Sequence, residues 1–523
     1  MDIERPRAKP HQESTDPKEN SDGRPLRGER RAVPLATRAL PDELAQYMRQ
    51  FYGVFRRLET FETACSYVVG LFSNLSRKNG ETMAEAIEGI SNIEAVHRFM
   101  ALSRWSARDL DRLRVEHALR QHSVDTEEAA LIVDEVSQLK KGNASVGVKR
   151  QYLGSEGKTA NGQVTVTTHW WDGHADWPVT AQLYLPQEWA DDKERRAKAG
   201  VPEEITFKTK PQIAVDLIQR ALDWRIPVRW VLMDAGYDDL ETLAAVKRLG
   251  LAFCVGINRA FMVRVPDELA RWVPPPTPKR GRPRKHVDPR ALPPVCRVDQ
   301  VLDAIPETLW RTVTYRHGTA GPLTKQFVAL RAQAATTQVQ GPDLWVLFER
   351  PCPGDHGETK FYAISPPQDR AMTLEEMAQV AHRRYLIERN SYENGKGEVG
   401  LRDYQGRSWR GLHHHFALVM LALTWLNLQR QPLPPKRGQD QAPAPQPPTV
   451  QPLPESASLH MADRACRFDV GPLSGRPLPI PRQHLESVQE VRRRLVAWFA
   501  LTVQRALTHL GALLQPPRFV ALC

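Results

Sequence analysis

Residues Ala130–Val136, ALIVDEV, form a short run of apolar side chains that reaches a carboxylate at Asp134. A continuous apolar run of this length is typical of a strand that is buried on both faces. A second run of the same kind, VRWVLMD at Val228–Asp234, also ends in an acid. Carboxylates at the ends of neighbouring strands face a common crevice, so the sequence predicts that Asp134 and Asp234 lie close together.

The sequence around these two runs indicates a mixed sheet flanked by helices. SVGVKRQYLG, GQVTVTTHWW and TAQLYLP alternate or carry β-branched residues, and glycine and asparagine turns separate them, as expected of strands. PQIAVDLIQRALDW and LETLAAVKRLG have helical periodicity, and LAFCVGI is a further apolar strand. We therefore predict an α/β fold.

A third carboxylate lies in the middle of Ala381–Lys396, AHRRYLIERNSYENGK. The composition favours a helix, and Arg384, Glu388 and Tyr392 recur at four-residue spacing, so they share one helix face. On such a helix Glu388 is either the partner of a surface ion pair or a ligand of a metal site. The two strand-end aspartates favour the metal site.

The other acids near the two aspartates are assigned structural roles. Glu135 should point to the opposite face of the sheet from its neighbour, because side chains alternate along a strand. Asp238 and Asp239 are suited to cap the helix that follows them.

The order of the three carboxylates points to chemistry on phosphodiesters. Cleavage or transfer of a phosphodiester needs an activated oxygen nucleophile and a stabilised leaving oxygen, and two Mg²⁺ ions about 4 Å apart, held by carboxylates, do both. Asp on a strand, Asp on a strand and Glu on a helix is the order of RNase H-like nucleases and transposases. The net charge of +11, from 72 basic and 61 acidic residues, suits a polyanion partner such as DNA.

Composition divides the chain into an RNase H-like α/β core and several attached segments. Asn92 and Ser106 are candidate N-caps in the helical part, whose alternative interpretation is a bundle with a solvated charged surface. Thr373 and Glu376 form a candidate capping box. The predicted segments are a disordered tail (1–38), a helical DNA-binding domain (39–125), the first part of the core (126–257), a β-rich insertion (258–370), the rest of the core with the glutamate helix and the helix after it (371–430), a proline-rich linker (431–480) and a C-terminal helical segment (481–523).

Cysteine usage and hydropathy indicate an intracellular protein. The six cysteines are far apart and include no CxxC pair, so neither a zinc site nor a disulfide framework is predicted. The N-terminus lacks the apolar region of a signal peptide, and the run Phe416–Leu426 is too short to span a bilayer. We expect no membrane contact and a cytoplasmic location.

The chain resembles the DDE transposases of bacterial insertion sequences, in the group whose β-rich insertion lies between the second Asp and the Glu. The likeness is carried by GLFSNLSRKNGETMAEAI, VDEVSQLKKGNASVGVKRQYLGSEGKTANGQV, LYLPQEWADDKERRAKAGVPEEITFKTKPQIA, WVLMDAGY and KGEVGLRDYQGRSWRGLHHH, which together cover roughly residues 60 to 430. The resemblance implies that Asp134, Asp234 and Glu388 are a metal-binding catalytic triad.

The resemblance also implies an activity, a cofactor and partners. These are cleavage of double-stranded DNA at the inverted repeats of an element, with two Mg²⁺ ions or with Mn²⁺ instead, and strand transfer into target DNA. Holding two ends together implies a homodimer, and the host would be a bacterium, with the protein at the nucleoid when bound to DNA. Two rival interpretations are a metal nuclease or resolvase that cuts without joining, and a non-catalytic DNA-binding derivative of a transposase.

The family signature on the glutamate helix is Tyr, Arg, Glu and Lys, and this chain matches it in part. Arg384 and Glu388 have the family spacing, whereas the family Tyr is replaced by alanine three residues before Arg384. Gly395 stands where the family has Lys, and Lys396 follows one residue later. A π-bulge or an early helix end at Gly395 would restore the direction of Lys396 toward DNA. If the helix register is displaced, Glu393 becomes the metal ligand.

Further basic residues are candidates for contact with DNA. Lys140 and Lys141 follow the first aspartate strand in a turn, where they either contact a backbone phosphate or are merely solvated. Pro278–Lys285, PKRGRPRK, has the Gly-Arg-Pro core of an AT-hook, which would bring Arg282 and Arg284 into the minor groove of AT-rich DNA. The alternative is general attraction to phosphate.

Three consecutive histidines, His413, His414 and His415, invite comparison with a metal site. Successive residues of a helix point about 100° apart, so the three rings cannot converge on one ion. We expect packing or phosphate contact instead.

Overall fold

The structure is a computed structural model that describes residues 42–87, 90, 92–265, 295–318, 321–384, 393–430 and 487–497. Four predictions fall outside these ranges: the tail (1–38), the linker (431–480), the AT-hook with Arg282 and Arg284, and the placement of Glu388.

The described strands form one 12-stranded sheet. They are β1 (Ala130–Leu139), β2 (Lys149–Leu153), β3 (Lys158–Trp171), β4 (Asp176–Leu183), β5 (Trp230–Met233), β6 (Ala252–Ile257), β7 (Met262–Arg264), β8 (Val295–Arg297), β9 (Arg311–Gly318), β10 (Gly321–Ala335), β11 (Gln340–Arg350) and β12 (Lys360–Ser365). Neighbours follow the order β2-β3-β1-β5-β6-β12-β11-β10-β7-β8, with β4 beside β3 and β9 beside β10.

The centre of the sheet is parallel and its two sides are antiparallel. Ala130 of β1 aligns with Trp230 of β5, which aligns with Ala252 of β6. These strands are buried on both faces, as their apolar runs predicted. The α/β class and the mixed sheet are therefore confirmed.

The strands of the predicted β-rich insertion extend the core sheet. Within 258–370, Phe361 of β12 pairs with Ile257 of β6, and Phe348 of β11 pairs with Phe361. The sequence indicated strands here but not the pairing of β12 with β6, because that pairing joins residues about a hundred positions apart.

The described helices precede the sheet, cross its faces and follow it. They are α1 (Asp42–Arg49), α2 (Tyr52–Phe55), α3 (Leu58–Phe72), α4 (Gly80–Ala86), α5 (Ile93–Ala101), α6 (Ala107–Arg120), α7 (Gln187–Asp191), α8 (Lys193–Ala199), α9 (Lys210–Asp223), α10 (Leu240–Arg248), α11 (Val298–Ala304), α12 (Leu374–Ala381), α13 (Glu393–Glu398) and α14 (Trp409–Leu428). Residues 488–497 are also helical. None of the helices in the described ranges has the length and apolar character that a membrane crossing needs.

Two hydrophobic cores lie on the two faces of the sheet. Ile132 and Leu232 belong to the core that contains α14 and the N-terminal helices, whereas Leu131 and Val231 belong to the core that contains α9 and α10. Helix α14 is buried around most of its surface because β4 packs on one side and the N-terminal helices on the other. Successive side chains of β1 and β5 alternate between the two faces of the sheet, and they therefore alternate between the two cores.

The N-terminal helices are joined to the sheet by a buried arginine. Asn92 and Ser106 cap α5 and α6, as predicted. Arg114 of α6 is fully buried; its guanidinium donates to Asp111, to the carbonyl oxygens of Pro178 and Val179 in β4, and to Thr424 of α14. A buried charge needs such partners, so Arg114 fixes the helical domain against the core.

The capping box that begins α12 is present, but the helix predicted to run through Ala381–Lys396 is interrupted at residues 382–384. Residues 385–392 of that prediction lie outside the described part of the chain. Thr373 accepts from the backbone of Glu376, and the Glu376 side chain returns to the Thr373 amide. Helix α12 then ends at Ala381, and Arg384 lies in a turn. Local composition favoured a longer helix, but tertiary contacts of the next residue, His382, override it, as described below.

Candidate active site

Asp134 and Asp234 reach the same level of the sheet on adjacent parallel strands. Ile132 of β1 aligns with Leu232 of β5, and each aspartate lies two residues further along its strand direction. Because side chains alternate, Asp134 shares the face of Ile132, and Asp234, whose backbone is still extended, continues the face of Leu232. The structure thus brings the two predicted carboxylates to one level of the sheet. Asp234 follows the end of its strand as predicted, but Asp134 lies within β1, because pairing with β3 continues the strand to Leu139.

Local amides fix both aspartate side chains. Oδ1 of Asp134 accepts from the amide of Glu135 at 2.7 Å, and Oδ1 of Asp234 accepts from the amide of Gly236 at 2.9 Å. A Cβ at position 236 would lie 3.0 Å from this Oδ1, so glycine gives the loop room to close on the carboxylate. Both side chains are half-buried and therefore accessible to a ligand.

Arg384 approaches the first aspartate from the turn after α12. Its Nη1 lies 3.7 Å from Oδ2 of Asp134. The preceding residue, Arg383, forms an ion pair with Glu128 just before β1. The turn therefore lies against the amino-terminal half of β1, and it places a guanidinium beside the candidate metal ligand.

Glu135 has the opposite orientation, as predicted. Its carboxylate accepts from Nζ of Lys210 at 2.7 Å and from the hydroxyl of Tyr237, whose ring belongs to the core on the other face. The geometry agrees with the structural role assigned to Glu135.

The next two acids differ from each other. Asp239 accepts from the Thr242 amide at 2.9 Å and caps α10, as predicted. Asp238 does not cap that helix: its carboxylate accepts from the backbone amide and the side chain of Asn258. Burial raises the pKa of Asp238, and this carboxylate joins the loop after β5 to the end of β6.

A cavity of about 840 Å³ extends from Asp234 toward β9, β10 and β12. Basic side chains outnumber acidic ones on its lining, where the basic residues are Arg259, Arg316, Lys325, Lys360 and Arg384 and the acidic residues are Asp234 and Glu358. A concave surface of this charge attracts polyanions. The cavity therefore lies between the predicted core and the predicted insertion, with Asp234 in its lining.

Lys140 and Lys141 differ although the sequence treats them alike. Nζ of Lys140 donates to the carbonyl oxygen of Tyr404 at 2.6 Å, and burial lowers the pKa of Lys140 to about 8. Lys141 is exposed. Lys140 thus fixes the end of β1 to the loop before α14, while Lys141 is open to solvent.

The glutamate side of the site is described only in part. Lys396 is half-buried in α13, while Glu393 belongs to that helix without a described side chain. Gly395 lies inside α13, so the expected early helix end at this glycine is not observed. A Cβ there would meet Leu401 at 3.1 Å, which explains the small residue.

The three histidines of α14 diverge and pack, which was one of the two expected alternatives. His413 contacts the backbone of Trp409 and Leu183, His414 contacts two backbone carbonyl oxygens of the N-terminal helices, and His415 contacts Tyr67. Burial lowers the pKa of each to about 4.

The two described carboxylates fit a hard divalent cation by their chemistry. Mg²⁺ and Mn²⁺ prefer carboxylate oxygens, and Asp134 and Asp234 present such oxygens on one face of adjacent strands. Within the described ranges, no three His, Cys, Asp or Glu side chains form a complete metal cluster. The third predicted ligand, Glu388, lies outside those ranges.

Two clusters of buried charges were not identified from the sequence. In the first, Glu349 of β11 contacts Lys325, Tyr362 and His382. Its signal was available: LWVLFE, which ends at Glu349, is an apolar run ending in an acid, like those of the two aspartates.

The second cluster gathers residues from three distant parts of the chain. Glu398 of α13 pairs with Arg492, and Nζ of Lys78 donates to the Glu398 carbonyl oxygen at 2.8 Å. Asp403 accepts from the Lys78 amide. Burial lowers the pKa of Lys78 to about 8. Sequence spacing carries no signal for contacts of such long range.

The fold and the paired aspartates define a class of protein. A family model described as DDE superfamily endonuclease matches residues 50–322, over half of the chain, and the chain belongs to this family. The match includes Asp134 and Asp234 and ends before Arg384.

A curated relative narrows the comparison to insertion sequences. The chain is 30% identical over 222 residues to a protein of Microchaete diplosiphon described as "Probable transposase for insertion sequence element IS701". The alignment covers 42% of this chain and 55% of that relative, so the chain spans about half of the relative's length.

Proposed function

We propose that the protein is an insertion-sequence transposase that cleaves DNA at the ends of its element and joins the freed strand to target DNA. The observation that carries the proposal is the placement of Asp134 and Asp234 at one level of adjacent parallel strands, with Asp234 in the lining of a basic cavity. Membership of the DDE endonuclease family and the similarity to an insertion-sequence relative support it.

In this proposal Asp134, Asp234 and Glu388 hold two Mg²⁺ ions, for which Mn²⁺ can substitute. Divalent ions supply activation of the attacking oxygen and stabilisation of the leaving oxygen of a phosphodiester. The chain's own groups do the rest: the amides of Glu135 and Gly236 hold the carboxylates in place, and Arg384 offsets part of the negative charge of the aspartate pair.

DNA is the proposed partner, and several residues are proposed to hold it. Arg384 and Lys396 lie on either side of the glutamate position, and Lys141 is exposed after β1. Lys140 acts through its contact with the Tyr404 loop. Arg282 and Arg284, outside the described ranges, remain candidates for the minor groove. The proposal includes a homodimer that holds two ends together, in the bacterial cytoplasm at the nucleoid.

A plasmid-cleavage assay tests the assignment of the strand carboxylates. Supercoiled plasmid that carries the element ends is incubated with Mg²⁺ and wild type, Asp134→Asn or Glu135→Gln. We expect wild type to excise the element, Asp134→Asn to bind the ends without cutting, and Glu135→Gln to cut normally, because Glu135 lies on the other face of the sheet. Equal cutting by wild type and Asp134→Asn would refute the site.

The same assay decides the third ligand and the reaction class. We expect Glu388→Gln to abolish cutting and Glu393→Gln to retain it; the reverse result would assign Glu393. Linear products without joined strands would indicate a nuclease that only cuts. Binding of the ends without any cleavage by wild type would indicate a DNA-binding derivative.

A further inference from the structure

A fully buried carboxylate, far in sequence from the aspartates, contacts three residues that line the basic cavity. Glu349 of β11 has no exposed surface. Its partners are Nζ of Lys325 on β10, the hydroxyl of Tyr362 on β12 at 3.0 Å and Nε2 of His382 at 2.9 Å. Burial alone would raise the pKa of Glu349, but hydrogen bonds and charges from His382 and Lys325 outweigh burial and lower this pKa to about 2.

His382 is held from two directions by the strands of the 258–370 region. Its Nε2 contacts Glu349, and its ring stacks on Tyr315 of β9, with 3.8 Å between ring centroids and 18° between ring planes. The edge of Phe327 completes the pocket around the ring. His382 is also the C-cap residue of α12. Strands β9 and β11 therefore hold the chain in place directly after α12.

The two residues after His382 contact the region around the first aspartate. Arg383 pairs with Glu128, and Arg384 reaches Asp134 at 3.7 Å. Two residues of extended chain span at most about 7 Å, so the position of His382 limits the position of Arg384. Tyr315, Lys325, Tyr362 and His382 line the same cavity as Asp234.

We infer that Glu349 and His382 are positioning residues that join the 258–370 region to the aspartate site, by fixing the turn at residues 382–384 and hence Arg384 beside Asp134. This inference rests on the proposed function, because it assigns a role in DNA cleavage. Neither residue touches the reacting groups; both act through Arg384.

The test compares three variants in single-turnover cleavage of end DNA with Mg²⁺. His382→Leu removes the donor to Glu349 and should slow cleavage by about 10- to 100-fold, the usual effect of losing a supporting hydrogen bond. His382→Gln keeps a donor and should recover to within about threefold of wild type. Glu307→Gln removes an exposed ion pair with Arg350 in the same region and should leave the rate unchanged.

A double-mutant cycle separates positioning from general stability. If His382 acts through Arg384, the effect of His382→Leu should largely disappear in the Arg384→Gln background. An effect of the same size in both backgrounds would overturn the inference, as would wild-type cleavage by His382→Leu or equal losses for His382→Leu and His382→Gln.

Hydrogen exchange gives a readout that does not depend on activity. In His382→Leu, amides of residues 378–384 should exchange faster than in wild type, while amides of β11 should keep their protection. If wild type fails to cleave DNA, the proposed transposase activity fails, and this measurement still decides whether His382 anchors the turn. Unchanged exchange at residues 378–384 would refute the anchoring.

Discussion

The two aspartates and the segment after α12 are held in place by different means. Asp134 lies within the apolar strand β1 and Asp234 follows β5, and each accepts from an amide one or two residues further along the chain. The residues around positions 382 and 398 are instead held by side chains from remote parts of the chain, Glu349 and Arg492.

This difference separates a locally determined half of the site from a half that depends on long-range contacts. Mutations far from the site should leave the aspartates in position, because the parallel strands and local amides fix them. The same kind of mutation should displace the turn at 382–384 or helix α13. The following variants test that division, beginning with the largest expected effect.

Replacing a strand aspartate should remove catalysis without unfolding the site. Asp234→Asn keeps the acceptor for the Gly236 amide but loses a charged metal ligand, which is worth several kcal/mol, or about 10³-fold in cleavage rate. The matched control is Asp239→Asn, since asparagine caps a helix as well as aspartate does. Cleavage rates and melting temperatures of both variants are measured. A large loss of melting temperature in Asp234→Asn would contradict local fixation of the carboxylate.

Acidification should weaken the contacts that hold the turn at residues 382–384. The pKa of Glu349 falls from an ordinary 4.5 to about 2 on folding, so its contribution is complete above pH 4.5 and is lost as the pH falls toward 2. The loss amounts to about 3 kcal/mol. Urea unfolding of wild type at pH 5 and pH 3 should show about 2 kcal/mol of this decrease, since the folded pKa lies below pH 3, and Glu349→Gln should show less of it. Equal decreases in both proteins would mean that other groups cause the acid sensitivity.

Removing Arg492 should destabilise the protein and slow cleavage. Arg492→Ala leaves the largely buried Glu398 carboxylate without its guanidinium, at a cost of about 1–3 kcal/mol. Arg493→Ala, an exposed position in the same helical segment, controls for helix propensity. Urea unfolding measures the free energy of both variants. If the two changes are equal, the Arg492 contact does not anchor α13.

The smallest expected effect concerns the two lysines after β1. Lys141→Gln should weaken DNA binding modestly and reduce the salt dependence of the binding constant by about one unit of slope. Lys140→Gln should lower stability instead, because it removes the bond to Tyr404. Binding titrations at several salt concentrations and urea unfolding distinguish the two outcomes. Equal salt slopes for wild type and Lys141→Gln would exclude a phosphate contact there.

Sequence patterns were sufficient where structure is local. The apolar runs before Asp134 and Asp234 predicted two central strands, and the capping box at Thr373 predicted where α12 begins. Asp234 directly follows β5, as predicted, whereas β1 continues past Asp134 to Leu139. The sequence could not predict that Lys140 is more buried than Lys141, because the two residues are chemically identical neighbours.

The predictions failed where distant contacts decide. Helical composition continues past Ala381, yet α12 ends there because the next residue is held by β9 and β11. The pairing of β12 with β6 likewise depends on a sheet that sequence spacing does not specify.

The ion pair between Glu398 and Arg492 has a consequence for the order of events during synthesis. Arg492 leaves the ribosome 94 residues after Glu398, a delay of roughly 5–20 s at ordinary translation rates. During that interval Lys78, Glu398 and Asp403 are available, but the guanidinium that completes their cluster is not. A nascent chain released before residue 492 therefore lacks this anchor for α13, so the anchoring of the glutamate side is a late event in the life of each molecule.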